Sequence, residues 1–449
     1  MNILQLTPGT GNFHCGTCLR DHAIVTAMRK RGHDVLMVPL YMPFVTDDND
    51  AGSDTPIFYS GVSVYLEQKS RLFRRMPRWL DRLLSGPRLL RWLAGRSKST
   101  HTALVGDMTI SMLQGEHGKQ AAELEHLIRW VRTQPKPDVI ALSNGLLIGM
   151  ARRLKEEFGC PIVSYLQGED LFLDQLPEPQ KTQSWKAAAE RANEIDAYIA
   201  VSEYYGRKMT DAMVIDPQRV HVVHNGITID DLNAAASPPQ PTIGYLARMT
   251  EGKGLHVLID AFIKLKQSDR VPNLKLKVAG ARIREDEKYV KQQQAKIIKA
   301  GLDSDVTWAF NISRAEKVAM LKSVSVLSVP TAYAESFGIY VLEAWASGVP
   351  VVQPRHGSFV ELIESTGAGV LCEPNDPVAL ATALEVLLLK PDAAQSLGQR
   401  GRTAVEQRFT IDRMAESVLQ VFERARLGAA SIADESMRPA LQGAATTNS

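Results

Sequence analysis

Short apolar runs rich in β-branched residues alternate along this chain with longer amphipathic stretches, and the alternation occurs in two successive series. Apolar runs between helical segments are typical of parallel strands that helices cover on both faces. Residues 233–241, NAAASPPQP, separate the two series with consecutive prolines and small residues. The pattern therefore predicts an α/β chain of two doubly wound domains.

The boundaries follow from where each series begins and ends. The first series predicts strands at 3–6, 35–40, 62–66, 139–142, 162–166, 198–201 and 220–223, and the second at 243–247, 274–279, 306–310, 324–329, 349–352 and 369–371. A chain of 449 residues fits this division, since one hydrophobic core rarely grows beyond about 250–300 residues. We expect an N-terminal domain over 1–233, a linker at 234–241, a C-terminal domain over 242–408, a helix at 409–427 and a disordered tail at 428–449.

Charge and composition limit the partners. A net charge of +2 gives no overall drive toward nucleic acid, and no nucleic-acid partner is expected. The start, MNILQLTPGT, lacks the basic and apolar regions of a signal peptide, and no apolar run of about 18 residues occurs. The expected location is the cytoplasm.

A local basic segment departs from this balance. Between Lys69 and Lys98 the chain holds ten Lys or Arg residues and one acid, Asp81, interleaved with Leu, Phe and Trp. We interpret residues 69–130 as a helical insertion of the first domain. Three roles stay open for the basic stretch: peripheral contact with the inner face of a membrane, contact with an acidic acceptor, or a cover whose arginines extend from an apolar face.

Two glutamates carry the strongest chemical signal. Glu335 follows an apolar run, and Glu343 lies eight positions later in an apolar helix that is predicted to begin near Gly338. The first amides of a helix have no partner within it and attract phosphate, while carboxylates accept hydrogen bonds from sugar hydroxyls. The combination predicts a nucleotide-sugar site. The alternative, two surface charges on an ordinary helix, is disfavoured by the apolar stripe beside Glu343.

The surrounding sequence is ESFGIYVLEAWASGVPVV, from Glu335 to Val352. It resembles the Glu-x7-Glu motif of the retaining glycosyltransferases of family 4, which have the GT-B fold. The resemblance implies two Rossmann-like domains facing a central cleft, with the acceptor on the first and the nucleotide sugar on the second. It also implies that the helix at 409–427 returns to the first domain. It also implies that Glu335 is catalytic and orients the donor hexose, that Glu343 holds the ribose, and that the donor site includes Ser336, Phe337, Gly338 and Ile339.

Two glycine-containing loops are similar to motifs of the same family. IGYLARMTEGKG resembles the G-R-L-x-x-x-K-G signature, with Ala247 where glycine is usual, and this assigns Arg248 and Lys253 to the donor diphosphate as catalytic cations. The turn PGTGNFHCGTC after the first strand looks like the N-terminal glycine loop of GT-B transferases, which makes Gly11 and Gly16 candidate substrate contacts. The alternative for these glycines is a tight structural turn.

Two further segments complete the predicted site. Asn311 and Ile312 follow the strand at 306–310 and are expected to contact the nucleobase. Gln167 and Asp170 follow the strand at 162–166 and are expected on the acceptor or sugar side. Many family members carry histidine where Gln167 stands. A neutral amide can donate and accept hydrogen bonds but cannot titrate, so an acid/base role at this position is not expected.

The resemblance implies a metal-independent hexosyltransferase of the kind found in polysaccharide biosynthesis. It would move a sugar from a UDP- or GDP-linked donor, with no obligatory cofactor, to a hydroxyl of a glycan, lipid or small molecule, and would form an α-linkage with retention. The alternatives are a non-catalytic GT-B protein that binds nucleotide sugars or glycans, and a GT-B nucleotide-sugar epimerase. The intact cations and the Glu-x7-Glu pair disfavour both.

Two other patterns receive structural interpretations. Cys15 and Cys18 form a C-x-x-C, but no second ligand pair has zinc spacing, so packing of small residues is favoured over a zinc or redox site. Asp47, Asp48, Asn49 and Asp50 contain an Asp-x-Asp pattern in a polar stretch and are interpreted as a solvated loop, not a metal site.

Overall fold

The computed structural model describes residues 1–8, 16–41, 58, 100–233 and 238–442, and the chain divides into two compact units. The first unit comprises Met1–Val201, Gly206–Val223 and Ala415–Ser449, and the second comprises Ser202–Tyr205 and His224–Met414. Each unit contains one parallel sheet with helices between its strands. The predicted α/β class with two Rossmann-like domains is therefore confirmed.

The first sheet has the order β2-β1-β3-β4-β5-β6 among the described residues. Its strands are β1 (Asn2–Thr7), β2 (Asp34–Pro39), β3 (Val139–Leu142), β4 (Ile162–Leu166), β5 (Ala197–Ala200) and β6 (Val220–Val222). Every residue of β3 and β4 is buried, as expected for central strands between two helical layers. The chain extends from β1 to β2 and then returns to the other side of β1 as β3, so the sheet reverses its direction of growth between β1 and β3.

Seven helices accompany this sheet in the described part of the chain before residue 224. They are α1 (Gly16–Lys30), α2 (Thr100–Leu113), α3 (Ala121–Val131), α4 (Ala151–Phe158), α5 (Glu169–Asp174), α6 (Gln180–Arg191) and α7 (Glu203–Met213). The basic stretch from Lys69 to Lys98, the Asp47–Asp50 pattern and the predicted strand at 62–66 lie outside the described residues.

The second sheet repeats the same plan, with the order β12-β11-β10-β7-β8-β9. Its strands are β7 (Thr242–Leu246), β8 (Lys275–Gly280), β9 (Val306–Phe310), β10 (Val326–Leu327), β11 (Val351–Pro354) and β12 (Gly369–Cys372). Its helices are α8 (Leu255–Ser268), α9 (Glu287–Lys299), α10 (Arg314–Leu321), α11 (Ile339–Ala346), α12 (Ser358–Thr366), α13 (Pro377–Leu388) and α14 (Pro391–Arg408). In this sheet the direction in which successive strands are added reverses between β7 and β10.

The change of unit lies at Val223 and His224, earlier than the predicted boundary at 233. The segment after His224 is bound to the second unit by backbone hydrogen bonds. The Ile227 amide donates to the Phe409 carbonyl at 2.9 Å, and the Ile411 amide donates to the Ile227 carbonyl at 3.0 Å. These pairings place the segment with the second unit, whereas the sequence signal of small residues and prolines marks only the stretch that follows it.

The last helix, α15 (Ile411–Gln442), continues past Gly428, where the sequence predicts its end. A glycine ends a helix readily when it adopts the left-handed conformation, and Gly428 is not among the glycines with positive φ. The predicted helix at 409–427 is therefore too short, and residues 428–442, which were predicted to begin a disordered tail, are helical. Residues 443–449 lie outside the described residues. From Ala415 onward this helix belongs to the first unit.

None of the helices in the described ranges combines the length and the apolar character needed to cross a lipid bilayer.

Candidate functional site

The predicted donor residues follow the two strands between which the second sheet reverses. Arg248 and Lys253 lie in the loop after β7, and Glu335 lies in the loop after β10. These strands are neighbours in the sheet. In open α/β sheets, ligands bind at the carboxyl ends of strands where the order reverses. The topology therefore places three predicted catalytic residues at the edge of this unit where a ligand is expected.

Lys253, Glu335 and Tyr340 form a buried cluster at this edge. Glu335 is 6% exposed, and its Oε2 forms an ion pair with the Lys253 ammonium. The Tyr340 hydroxyl donates to the same oxygen at 3.0 Å. Among the described residues, nothing donates a hydrogen bond to the other oxygen, Oε1. The carboxylate is thus oriented through one oxygen and retains acceptor capacity on the other.

The surroundings keep Lys253 charged and Tyr340 protonated. Burial alone lowers the pKa of Lys253, but the charge of Glu335 and the neighbouring Tyr333 raise it by more, so the pKa lies above its ordinary value. The ammonium also lies 5.2 Å from the Tyr333 ring centroid and 5.5 Å from that of Tyr340, within range of cation–π attraction. Burial raises the pKa of Tyr340 well above its ordinary value, and the charge of Glu335 adds to the effect.

Backbone contacts fix the loop that carries Lys253. The buried Tyr245 hydroxyl lies 3.3 Å from the carbonyl oxygen of Arg248 and 3.4 Å from that of Lys253. The Ala332 amide donates to the Gly252 carbonyl at 2.9 Å. Gly254 has φ +70°, and a Cβ at this position would lie 1.7 Å from the Pro330 carbonyl oxygen. The loops after β7 and β10 therefore approach more closely than any other residue at 254 allows.

Replacing Gly254 by alanine is expected to destabilise the second unit and displace Lys253. Gly301 provides a matched control, because it has φ +71° but no atom within 4 Å of its Cβ position. Gly301→Ala should cost only the left-handed strain, about 1–2 kcal/mol, while Gly254→Ala should cost clearly more and weaken nucleotide binding. Urea unfolding and calorimetric titration measure the two effects. Equal losses of stability in the two variants would show that the close approach to Pro330 does not matter.

The amino end of α11 lies next to Glu335. Gly338 caps it with φ +85° and ψ +67°, and Ile339 is the first helical residue, as the sequence predicted within one position. No acceptor for the amides of Ile339 and Tyr340 is found among the described residues. Phe337 is buried, and its carbonyl accepts the Ser358 hydroxyl at 2.9 Å, while the Ser336 carbonyl accepts the Ser202 hydroxyl at 2.7 Å. Two free amides at a helix start can bind a phosphate.

Arg248 is held differently from Lys253. Its guanidinium forms two hydrogen bonds with the Asp286 carboxylate, Nε to Oδ2 at 3.1 Å and Nη2 to Oδ1 at 3.2 Å, and the side chain is half-exposed. Asp286 is 7% exposed and also accepts the Ile283 amide at 3.2 Å. The structure shows no direct contact between Arg248 and Glu335. Arg248 is thus a cation at the same sheet edge, oriented by Asp286 and not by the cluster.

Glu343 lies one turn inside α11 and forms an ion pair with Lys317 of α10. Its side chain is 13% exposed. The structure therefore agrees with the expectation that this acid does not face bulk water. It also supplies a partner, Lys317, that the sequence pattern did not indicate.

The predicted nucleobase contact Asn311 has its side chain engaged elsewhere. Its Oδ1 accepts the Arg282 amide at 2.9 Å, and its Nδ2 donates to the Arg282 carbonyl at 3.2 Å. Its backbone has φ +52°, which asparagine tolerates better than most residues. Asn311 thus connects the loops after β8 and β9, and the half-buried Ile312 follows it. The Arg282 guanidinium lies 3.9 Å from the Phe310 ring centroid, a contact that sequence reasoning missed.

His356 is a second residue that the sequence did not single out. It follows β11, and its Nε2 donates to the Thr331 carbonyl at 2.9 Å. Its Nδ1 is buried and has no partner in the described part of the chain. Burial lowers the pKa of His356, although the charge of Glu335 acts in the opposite direction. A neutral imidazole with a free acceptor nitrogen therefore lies in the electrostatic reach of Glu335.

The remaining predicted residues belong to the first unit. Gly16 is the first residue of α1, and Gly11 and Cys15 lie outside the described residues. Gln167 follows β4, and its Nε2 donates to the Ser143 carbonyl. Asp170 is 2% exposed and forms an ion pair with Lys208. Gln167 and Asp170 thus lie at the carboxyl edge of the first sheet, as the sequence predicted.

Comparisons with known proteins show the family of the chain. A family model described as Glycosyl transferases group 1 matches residues 230–404, and one described as Glycosyltransferase Family 4 matches residues 105–231. The chain is similar to a glycogen synthase of Mycobacterium tuberculosis, at 24% identity over 65% of this chain and 70% of the relative. It is also similar to a phosphatidyl-myo-inositol mannosyltransferase of Mycobacterium leprae, at 29% identity over 50% of this chain and 58% of the relative.

A solved structure shows the same fold. The Anabaena protein HepE in complex with UDP and glucose superposes with a TM-score of 0.68 at 17% identity, covering 94% of this chain and 99% of that chain. The two family matches run from residue 105 to residue 404 with an overlap at 230–231. With its GT-B fold and its Glu-x7-Glu motif, the chain belongs to glycosyltransferase family 4.

Proposed function

We propose that this glycosyltransferase is a retaining hexosyltransferase that transfers a sugar from a nucleoside-diphosphate donor to an acceptor hydroxyl with an α-linkage. The observation that carries the proposal is the Lys253–Glu335–Tyr340 cluster beside the Ile339 and Tyr340 amides of α11, which have no acceptor among the described residues. The Lys253 ammonium and the amides at the start of α11 suit a diphosphate, and the Glu335 carboxylate suits a sugar hydroxyl. Both sets of groups lie at the carboxyl edge of one sheet.

The leaving group is the nucleoside diphosphate, on which negative charge increases as the bond to the sugar breaks. Lys253 provides a partly buried positive charge, and the half-exposed Arg248 provides a second positive charge at the same edge. The amides of Ile339 and Tyr340 add the positive end of the α11 dipole. Fixed charges of this kind stabilise a transition state because they need no reorganisation during the reaction.

Glu335 positions the sugar in this proposal. Its Oε2 is held by Lys253 and Tyr340, so Oε1 accepts a hydrogen bond from a donor-sugar hydroxyl. The acceptor hydroxyl attacks the anomeric carbon from the face that the diphosphate leaves. One carbon–oxygen bond breaks as another forms, and the departing phosphate oxygen takes the acceptor proton. Configuration is then retained without a separate protein base. Glu343, paired with Lys317, binds the ribose hydroxyls.

Catalysis is expected to continue in excess EDTA. Lys253, Arg248 and the α11 amides supply the positive charge that a divalent cation supplies in other sugar transferases. The initial rate after removal of divalent ions should stay within about twofold of the untreated rate, as measured by nucleotide release. A large loss that Mg²⁺ or Mn²⁺ restores would contradict the metal-independent part of the proposal.

A panel of donors tests the function itself. The enzyme is incubated with UDP-, GDP-, ADP- and CMP-linked sugars and a mixed set of hydroxyl acceptors, and the released nucleotide and the glycosylated product are quantified. We expect turnover with the sugars of one nucleotide, UDP or GDP. We favour UDP because the structurally similar HepE is in complex with UDP and glucose. Proton NMR of the product should show the α-anomer.

Two outcomes would contradict the proposal. Tight binding of a nucleotide sugar without any product from the whole acceptor set would favour a binding protein. Conversion of the donor to an epimer without acceptor would identify an epimerase.

A further inference from the structure

A buried polar cluster lies at the edge of the first sheet where that sheet reverses its growth. Thr7 ends β1, Ser143 follows β3, and both are fully buried. The Asp21 carboxylate of α1, also fully buried, accepts the Thr7 hydroxyl at 2.9 Å and also accepts the Ser143 hydroxyl. This is the ligand-binding position of an open α/β sheet, and it lies in the unit that does not contain the Lys253–Glu335–Tyr340 cluster.

Arg20 brings a full positive charge into this cluster. It is 4% exposed, and its Nε and Nη2 both donate to Asp21 Oδ1. Its guanidinium carbon lies 4.4 Å from the centroid of the Tyr165 ring. A buried ion pair of this kind rarely adds stability relative to apolar side chains of similar volume, because both charges lose their hydration. A ligand-binding role would explain why the charge pair is located here.

The cluster contains more hydrogen-bond donors than acceptors. Arg20 Nη1 and Tyr165 Oη are both buried and have no partner among the described residues. Burial raises the pKa of Tyr165, so its hydroxyl stays protonated and can donate. A guanidinium donates and cannot accept. The missing partner is therefore an acceptor, and the best acceptor for a guanidinium is an oxyanion.

The predicted acceptor residues adjoin the same cluster. Gln167 donates to the Ser143 carbonyl, and the Ser143 hydroxyl donates to Asp21. Glu169 accepts the Gly145 amide at 2.8 Å and the Gln167 amide at 2.8 Å, which fixes the ends of β3 and β4 relative to each other. Arg20 and Gln167 thus belong to one continuous polar network at the edge of the first sheet.

We propose that Arg20, oriented by Asp21, binds a carboxylate or phosphate group of the acceptor substrate, with the Tyr165 hydroxyl as a second donor. The inference rests on the proposed function and extends it, because it predicts that the acceptor is an anionic molecule. Arg20 and Tyr165 touch the acceptor, and Asp21 is a positioning residue.

Calorimetric titration with inorganic phosphate tests the site directly. The released nucleoside diphosphate is kept at saturation throughout, so that the donor phosphate site is occupied and cannot bind the probe. We expect one phosphate per chain. Glucuronate should compete with it if carboxylates bind as well, glycerol phosphate should compete if the natural group is a phosphomonoester, and glucose should not compete.

Three variants assign the binding to named groups. Asp21→Asn keeps the charge of Arg20 and an amide oxygen that accepts its hydrogen bonds, so phosphate affinity should stay within about threefold. Arg20→Met combined with Asp21→Asn removes the guanidinium without leaving a buried carboxylate unpaired, and affinity should fall at least about tenfold. Tyr165→Phe keeps the ring under the guanidinium and should fold even if the double variant does not. It should weaken phosphate binding about threefold or more.

The outcomes separate this inference from the proposed function. If phosphate does not bind the wild-type protein, or binds all variants equally, an ordered water completes the cluster and the inference fails, while nucleotide affinity stays intact. If the nucleotide itself does not bind, the proposed function fails instead. With a turnover assay in hand, loss of Arg20 should raise KM for a charged acceptor and leave KM for the donor unchanged.

Discussion

Replacing Glu335 by glutamine is expected to lower kcat about 10²–10³-fold, while the protein stays folded with reduced stability because the Lys253 charge loses its partner. Glutamine has nearly the same shape, but its amide is a weaker acceptor for a sugar hydroxyl and cannot form the ion pair with Lys253. If the hydroxyl contact strengthens in the transition state, kcat falls more than KM rises. Steady-state kinetics with the preferred donor, together with thermal unfolding, measure the effect.

Glu364→Gln is the matched control for this change. Glu364 is exposed and forms an ion pair with Arg355 at 2.8 Å, so the substitution makes the same chemical change away from the cluster. Exposed pairs contribute little to stability, and both kcat and unfolding should be nearly unchanged. A Glu335→Gln enzyme that keeps kcat within twofold of wild type would exclude the role assigned to this carboxylate.

Replacing Lys253 by methionine is expected to reduce kcat to a similar extent, about 10²–10³-fold, and also to destabilise the second unit. The ammonium is the cation that pairs with Glu335, whose side chain is 8% exposed. Removing one partner of a buried pair leaves the other charge uncompensated, at a cost of about 3–5 kcal/mol. The lower end of this range of stability loss applies here, because Lys253 is only partly buried, with 20% of its side chain exposed. Urea unfolding and nucleotide titration measure the two losses.

A double variant separates the two consequences. Lys253→Met with Glu335→Gln removes both charges, so stability should recover relative to the single lysine variant, whereas activity should not. Recovery of activity in the double variant would mean that the pair serves folding only. Unchanged stability in the single variant would mean that Glu335 does not need its cation.

The fold was predictable because short apolar runs with strand character and amphipathic stretches with helical spacing alternate regularly along most of the chain. Apolar runs such as 139–142 and 162–166 are typical of strands buried between helical layers, and the structure contains fully buried strands with these bounds. The failures occurred where the signal was weak. Gly428 was predicted to end the last helix but lies within α15. A glycine ends a helix when its backbone adopts the left-handed conformation, and the residue type alone does not determine that conformation.

Glu335, Glu343, Arg248 and Lys253 could be singled out as candidate donor residues because they lie in contiguous motifs. Their partners were not, since Asp286 and Lys317 come from distant segments and pair only after folding. The same holds for the cluster of the first unit. In the sequence, Arg20 is one of several charged residues of a predicted helix. Its burial follows from the fold, in which β1 and β3 bring Thr7 and Ser143 to Asp21.

The central claim is that the carboxyl edge of the second sheet binds the donor diphosphate. A crystal structure of the protein with the nucleoside diphosphate selected by the donor panel tests it most directly. We predict that the diphosphate oxygens lie within hydrogen-bond distance of the amides of Ile339 and Tyr340 and of the Lys253 ammonium, with the ribose at Glu343. A nucleotide bound with its phosphates away from the start of α11, or bound to the first unit, would contradict the account.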